Sequence, residues 1–227
     1  MQTLLLLHGA IGAIDQLEPL ANELNPYYNV HMLNFPGHGG EEFAEEPFSI
    51  ALFAQHVLAY MNEKGLNEVN IFGYSMGGYV AMYIAKHYPN KVFKVITLGT
   101  KFHWDEHIAN RETLMLDPHQ IEIKVSYYAD TLKQRHGHNE WILVLQRTCE
   151  MMLEMGKNNT LKKEDYTNIY TPVLLLLGDR DKMVSCEETL IVYKELSNGQ
   201  MSVLPNTPHP MEKVDTSLLS FFIKRFI

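Results

Sequence analysis

The chain carries two kinds of hydrophobic pattern in alternation. Six short runs rich in Val, Leu and Ile, at residues 3–7, 29–33, 69–72, 93–98, 173–177 and 201–204, show little polar interruption, as parallel strands covered on both faces do. Between them apolar residues recur at helical spacing over 15–24, over 49–64 ahead of Gly65, over 75–88 ahead of Pro89, and over 186–196 and 211–226. Ser185 and Glu188 form a capping box that marks the start at 186. Strand alternating with helix predicts an α/β architecture, a mainly parallel sheet of about six strands with helices on both faces. Residues 100–168 depart from this: they hold no strand-like run, only helical patterns at 118–135 and 139–155, the second stopped by Gly156. The expected division is a core of 1–99 and 169–227 with a helical lid, 100–168, inserted after the fourth strand.

Length changes the picture little, since 227 residues suit one domain with a sizeable core. Charge excludes more: Lys+Arg 19 against Asp+Glu 27 gives a formal net charge of −8, which argues against nucleic acid and anionic membrane as partners. Cys149 and Cys186 lie far apart with no metal or disulfide spacing, as in a reducing compartment. The apolar start, Met1 to Leu7, has no basic flank and runs directly into His8-Gly9, so it reads as a strand rather than a signal segment, and the protein is expected in the cytoplasm. No apolar stretch reaches the roughly 18 residues of a membrane span.

Candidate chemistry concentrates at Gly73-Tyr74-Ser75-Met76-Gly77-Gly78, between the third strand and the third helix. A residue forced into a tight strand-to-helix turn leaves no room for side chains two positions before and after it, and glycines stand at both places. Ser75 then shows its hydroxyl at the positive end of a helix, where unpartnered backbone N–H groups can hold an oxyanion. The alternative is a serine that caps an ordinary helix beside packing glycines.

A serine hydroxyl needs a base to take its proton and a third group to orient that base. In parallel sheets such groups gather at the carboxyl ends of strands. His209, between prolines 208 and 210 after the last strand, meets that requirement, the alternative being a surface loop histidine. Asp179 and Asp181 both follow the fifth strand, and Asp181 is the better acid because Asp179 can be occupied by the turn or by Arg180. His8-Gly9-Ala10-Ile11-Gly12 follows the first strand, and the Ala10 amide is the expected second oxyanion donor beside that of Met76.

The ordered set His8-Gly9, Phe35-Pro36-Gly37-His38-Gly39, Gly73-Tyr74-Ser75-Met76-Gly77-Gly78, Gly178-Asp179-Arg180-Asp181 and His209 resembles the α/β-hydrolase superfamily over almost the whole chain. The resemblance implies Ser75 as nucleophile, Asp181 as acid, His209 as base, Ala10 and Met76 as oxyanion donors, and 100–168 as a lid over the pocket. It also implies that six strands remain, the family's first two being absent. The family acid stands three places after the strand-terminal glycine, which matches Asp181. Asn34 replaces a frequent aspartate, and Gly40 precedes glutamate where serine is common. Serine at position 75 departs from the dehalogenases and epoxide hydrolases, which use aspartate, and from the dienelactone hydrolases, which use cysteine. Tyr79 replaces the arginine of menaquinone-pathway synthases.

Ile11, Tyr79, His103, Trp104, Tyr128 and Trp141 are the positions expected to touch substrate, although most of the aromatic and Met residues of 100–168 are expected to pack within the lid or on the sheet. His136-Gly137-His138 lacks the helix-spaced pair and carboxylate of a zinc site. His8 and His38 are expected to bond backbone in tight turns. The reading is a serine hydrolase acting on a carboxylic ester or related acyl bond of a small molecule, with no cofactor and no metal. Alternatives on the same site are a small-molecule receptor with little turnover, a lyase, a C–C hydrolase or a cofactor-free perhydrolase.

Overall fold

The computed structural model describes residues 1–138 and 140–227. Its six strands are β1 (Thr3–Leu7), β2 (Asn29–Met32), β3 (Val69–Tyr74), β4 (Val92–Leu98), β5 (Val173–Gly178) and β6 (Gly199–Leu204). All pair in parallel, in the order β2-β1-β3-β4-β5-β6. The leucines of β1 explain the uninterrupted apolar runs: Leu5 and Leu7 enter the core on one face of the sheet, Leu4 and Leu6 the core on the other.

In chain order the helices are α1 (Glu18–Leu24), α2 (Ile50–Glu63), α3 (Met76–His87), α4 (Glu106–Thr113), α5 (Pro118–Lys124), α6 (Ser126–His136), α7 (Glu140–Lys157), α8 (Lys163–Tyr166), α9 (Cys186–Glu195) and α10 (Thr216–Phe226). Residues of α2, α3 and α9 fill one face of the sheet, and those of α1 and α10 fill the other. Ser185 caps α9 through the Glu188 N–H, and Glu188 returns the bond, as the capping box predicts. No helix among the described residues is long and apolar enough to cross a membrane.

Several expected helices differ in detail, each for a local reason. The segment 15–24 begins as a single 3-10 turn, Ile14–Gln16, and α1 starts only at Glu18, with Pro19 in its first turn where a missing N–H costs nothing. The pattern at 118–135 is broken at the β-branched Val125, whose φ of −143° and ψ of 55° separate α5 from α6. The pattern at 211–226 is a 3-10 turn, Met211–Lys213, followed by α10 with Asp215 as its cap. Asn139, the expected start of the 139–155 helix, lies outside the described residues. At its other end α7 passes through Gly156 instead of stopping there: a Cβ at that position would sit 2.6 Å from the Ala109 Cβ, so the glycine serves the close approach of α4. The helix α4 itself has no apolar stripe to announce it, since only Ala109 and Glu112 are buried.

Between β4 and β5 the chain forms α4 to α8 and no strand among the described residues. Met151 and Met155 of α7 and Tyr166 of α8 join the core that α2 and α3 share with the sheet.

Candidate active site

One residue separates β3 from α3. Ser75 has φ 50° and ψ −116°, a backbone state that costs a residue with a side chain about 1–3 kcal/mol and persists only where its surroundings impose it. The surroundings do so here. The Ser75 N–H donates to the Leu98 carbonyl at 2.8 Å, and Thr100 Oγ1 donates to the Ser75 carbonyl at 3.0 Å. A Cβ on Gly73 would collide with the backbone of Gly77, and one on Gly77 with the carbonyls of Leu7 and His8. The Ser75 side chain makes no capping bond with α3, so it is not an ordinary N-cap.

His209 lies beyond the end of β6, and its backbone carbonyl accepts from the Tyr74 hydroxyl at 2.9 Å. Its Nδ1 meets Asp181 Oδ2 at 2.7 Å. The other Asp181 oxygen accepts from the N–H groups of Met183 and Val184 at 2.8 and 2.9 Å. Burial pushes the Asp181 carboxyl upward, but the hydrogen bond and charge of His209, with those two N–H groups, hold it below the ordinary aspartate value. An ionised Asp181 keeps the ring proton on Nδ1 and leaves Nε2 as the basic nitrogen. Asp179 is occupied by the loop after β6 and by its neighbour: Oδ1 accepts from the Thr207 N–H at 3.1 Å, and Oδ2 lies 3.6 Å from Arg180 Nε.

Ser75 and His209 line one cavity of about 240 Å³, together with Ala10, Ile11, Trp104 and Tyr128. A second cavity of about 40 Å³ also reaches Ser75, bounded by Met76, Tyr79, Met151, Met155 and again Trp104. The hydrogen bonds at this corner run to the Ser75 backbone and to His209 Nδ1, leaving the serine hydroxyl and Nε2 unpaired among the described residues. The Ala10 and Met76 N–H groups likewise have no acceptor among the described residues. His8 explains how the first of these is aimed. Its Nδ1–H donates to the Gly9 carbonyl at 2.8 Å while its Nε2 accepts from the Phe35 N–H at 3.1 Å. In a trans peptide the N–H points away from the C=O, so holding Gly9 O fixes the direction of the Ala10 N–H.

Two expected substrate contacts are absent from both cavities. Trp141 is buried in a cluster with Ile121, Ala129 and Leu132, its ring under Lys133 Nζ, and His103 is an exposed residue beside Asp105. Sequence reasoning in turn missed Lys101, Glu112 and Glu212, which line the larger cavity, because nothing in their local pattern separates them from surface charges.

His38 and His136 complete a buried histidine group with His8. Ring centroids of His8 and His38 lie 5.3 Å apart, and those of His38 and His136 5.7 Å apart. Burial is the leading cause that lowers all three, His8 to about 3, His136 to about 4 and His38 well below the ordinary value; repulsion from neighbouring histidines adds to it at His8 and His38, and the Arg135 charge at His136. Their neutral forms are therefore built into the fold. Above the unfolded value of 6.5 both states are neutral and this contribution is complete; below it the unfolded chain takes up protons that the folded chain refuses. Stability should thus fall as pH drops from 6.5 toward 4, by about 1.4 kcal/mol per pH unit for each histidine. Thermal melting across pH 4–8 measures this, and a melting temperature flat between pH 6.5 and 4.5 would refute it.

The family model for the alpha/beta hydrolase fold matches residues 2–147. A candidate esterase/lipase of Haemophilus influenzae is 32% identical over 237 residues, spanning 99% of this chain and 82% of that protein. A pimeloyl-[acyl-carrier protein] methyl ester esterase of Vibrio campbellii is 38% identical over 101 residues, 43% of this chain and 36% of its own. Among solved structures, the enol-lactonase of Burkholderia xenovorans aligns with a TM-score of 0.82 over 99% of this chain and 90% of its own at 14% identity. An esterase of Thermogutta terrifontis aligns at 0.76 over 99% and 89%, with 19% identity. At those identities the structural likeness speaks for the fold, and the family match over more than half the sequence adds descent: the chain belongs to the α/β-hydrolase family.

Proposed function

We propose that the protein is a serine hydrolase that cleaves a carboxylic ester of a small molecule through an acyl-enzyme. The observation that carries the reading is the 2.7 Å bond from His209 to an ionised Asp181 beside a serine on a strained elbow, serine and imidazole opening on the same cavity. In this mechanism Nε2 takes the Ser75 proton as Oγ attacks the carbonyl. The Ala10 and Met76 N–H groups receive the oxyanion, and Asp181 stabilises the imidazolium. Nε2 then gives its proton to the departing alcohol, and water repeats the cycle on the acyl-enzyme. The segment between β4 and β5 acts as the lid, supplying Trp104 from its first loop, Tyr128 from α6 and Met152 from α7 to the cavity walls. Relatives named as esterases favour an ester over other acyl bonds.

Proton delivery also assigns the two cavities. A leaving group must lie on the imidazole side, so the alcohol occupies the cavity of about 240 Å³ that contains His209, and the acyl group the one of about 40 Å³. One water needs about 10–15 Å³ of such space, so the acyl side has room for only a few heavy atoms. Acetyl to butyryl p-nitrophenyl esters should therefore exceed the octanoyl ester in kcat/KM by about tenfold or more, one to three kcal/mol of excluded methylenes. Met151→Ala should shift the optimum to longer chains; an octanoyl preference in the unaltered protein would reverse the assignment.

The reading itself is tested with a fluorophosphonate probe and the same ester panel. Labelling of Ser75 together with turnover supports it. Labelling without turnover of any ester points to a binding protein on the same fold, and no labelling overturns the nucleophile.

A further inference from the structure

The last turn of α6 reaches across to the loops that carry the candidate chemistry. His136, 2% exposed, donates from Nε2 to the Ile11 carbonyl at 2.9 Å, and its Nδ1 accepts from the Gly39 N–H at 3.0 Å. A backbone N–H can only donate, so the ring proton is on Nε2 and both contacts are satisfied at once. Arg135 Nη1 lies 3.4 Å from the same Ile11 carbonyl. Its Nε pairs with Asp15 at 3.0 Å and its Nη2 with Glu212 at 3.1 Å, three residues after His209 in the chain. Ile11 is the unusual partner. It is a β-branched residue with φ 51°, in the left-handed region where such residues are outliers.

A strained backbone persists where neighbours over-determine it, and here two side chains from outside the loop hold one carbonyl. His8 and the Gly12 N–H fix the Gly9 carbonyl, which governs the Ala10 N–H; the Ile11 carbonyl, two residues later, is fixed by α6. We propose that His136, assisted by Arg135, is a positioning residue that clamps the loop 9–12 to the helical segment between β4 and β5, so that the Ala10 amide keeps its aim only while α6 is seated. The inference rests on the reading of Ala10 as an oxyanion donor. It makes the lid a working part of the oxyanion site in addition to a wall of the cavity. His138, two residues on and outside this contact, has no part in it.

The test compares His136→Ala with His136→Gln, which can still offer one acceptor and one donor. His136→Leu fills the space with neither. Amide hydrogen exchange over residues 9–12 reports the clamp directly, and p-nitrophenyl acetate kinetics report its consequence. The Ala and Leu variants should exchange there at least about tenfold faster, as a loosened local unit does. They should lose about 10–100-fold in kcat, less than outright removal of an oxyanion donor, with KM within about threefold. His136→Gln should restore most of both. Unchanged exchange at 9–12 overturns the clamp, as does a raised KM at unchanged kcat or a Gln variant as impaired as Ala. Loss of fold in both Ala and Leu variants with Gln intact would make His136 a stability residue and also overturn it. Should the unaltered protein hydrolyse no ester, the hydrolase reading fails while the exchange measurement still decides the clamp.

Discussion

Ser75→Ala is expected to lower kcat for p-nitrophenyl acetate by at least about 10⁴-fold, and His209→Ala by nearly as much, because in the proposed mechanism nucleophile and base act as one unit. The decisive feature is non-additivity: the double variant should be no slower than Ser75→Ala alone. What remains in each would be the contribution of the Ala10 and Met76 amides and of binding, neither of which depends on the deleted groups. The fold should be untouched. Ser75 is tied to Leu98 and Thr100 through its backbone, and its side chain makes no capping bond, so alanine removes no stabilising contact. Melting temperatures within about 2 °C of the parent are the control, as expected where no named destabilising mechanism applies. Effects that add between positions 75 and 209, or a Ser75→Ala protein that still turns over ester at the parent rate, would remove the serine from the mechanism.

The parts of this site that could be read in the sequence are those with a local steric or chain-order cause. Gly73 marks the elbow because the Gly77 backbone it makes room for lies within five residues, whereas Gly77 itself clears the carbonyls of Leu7 and His8 at the end of β1. The leucines of β1 mark a strand covered on both faces because the pattern is intrinsic to a parallel sheet. Asp179 is engaged from further off than its own turn: its Oδ1 accepts from the Thr207 N–H, 28 positions away on the loop after β6, while Arg180 Nε stands 3.6 Å from Oδ2. The helical segment after β4 was legible only as helical. Trp104 and Trp141 look alike in sequence, yet the first borders Ser75 and the second closes a separate cluster with Ile121 and Leu132. The difference is one of tertiary docking, which no residue period records. Likewise Gly156 carries the stop signal of a helix end, but the approach of Ala109 from α4 decides its use. His136 stood out only as part of a His-Gly-His string; its partners, the Ile11 carbonyl and the Gly39 N–H, are 125 and 97 positions away.

The two neighbouring aspartates offer the sharpest separation of structure from chemistry. Asp181→Asn keeps an oxygen for the Met183 and Val184 N–H groups, now 2.8 and 2.9 Å from Oδ1, and so keeps the turn. What it changes is the face toward His209. If the retained oxygen serves the turn, the amide N–H₂ meets Nδ1 and can only donate, so the ring proton moves to Nε2, the nitrogen that accepts the serine proton in the proposed mechanism. A loss of about 10³–10⁴-fold in kcat follows from the wrong tautomer and an unsupported imidazolium. Asp179→Asn changes nothing of this kind. Its amide oxygen still accepts from the Thr207 N–H, its contact with Arg180 at 3.6 Å is an exposed pair of little worth, and activity should stay within about threefold. Both variants should melt close to the parent, so a collapse of turnover in one alone reads the orientation of a single ring. The opposite pattern, with Asp179→Asn inactive and Asp181→Asn unaffected, would transfer the acid to Asp179. The 2.7 Å contact with His209 would then be a packing bond.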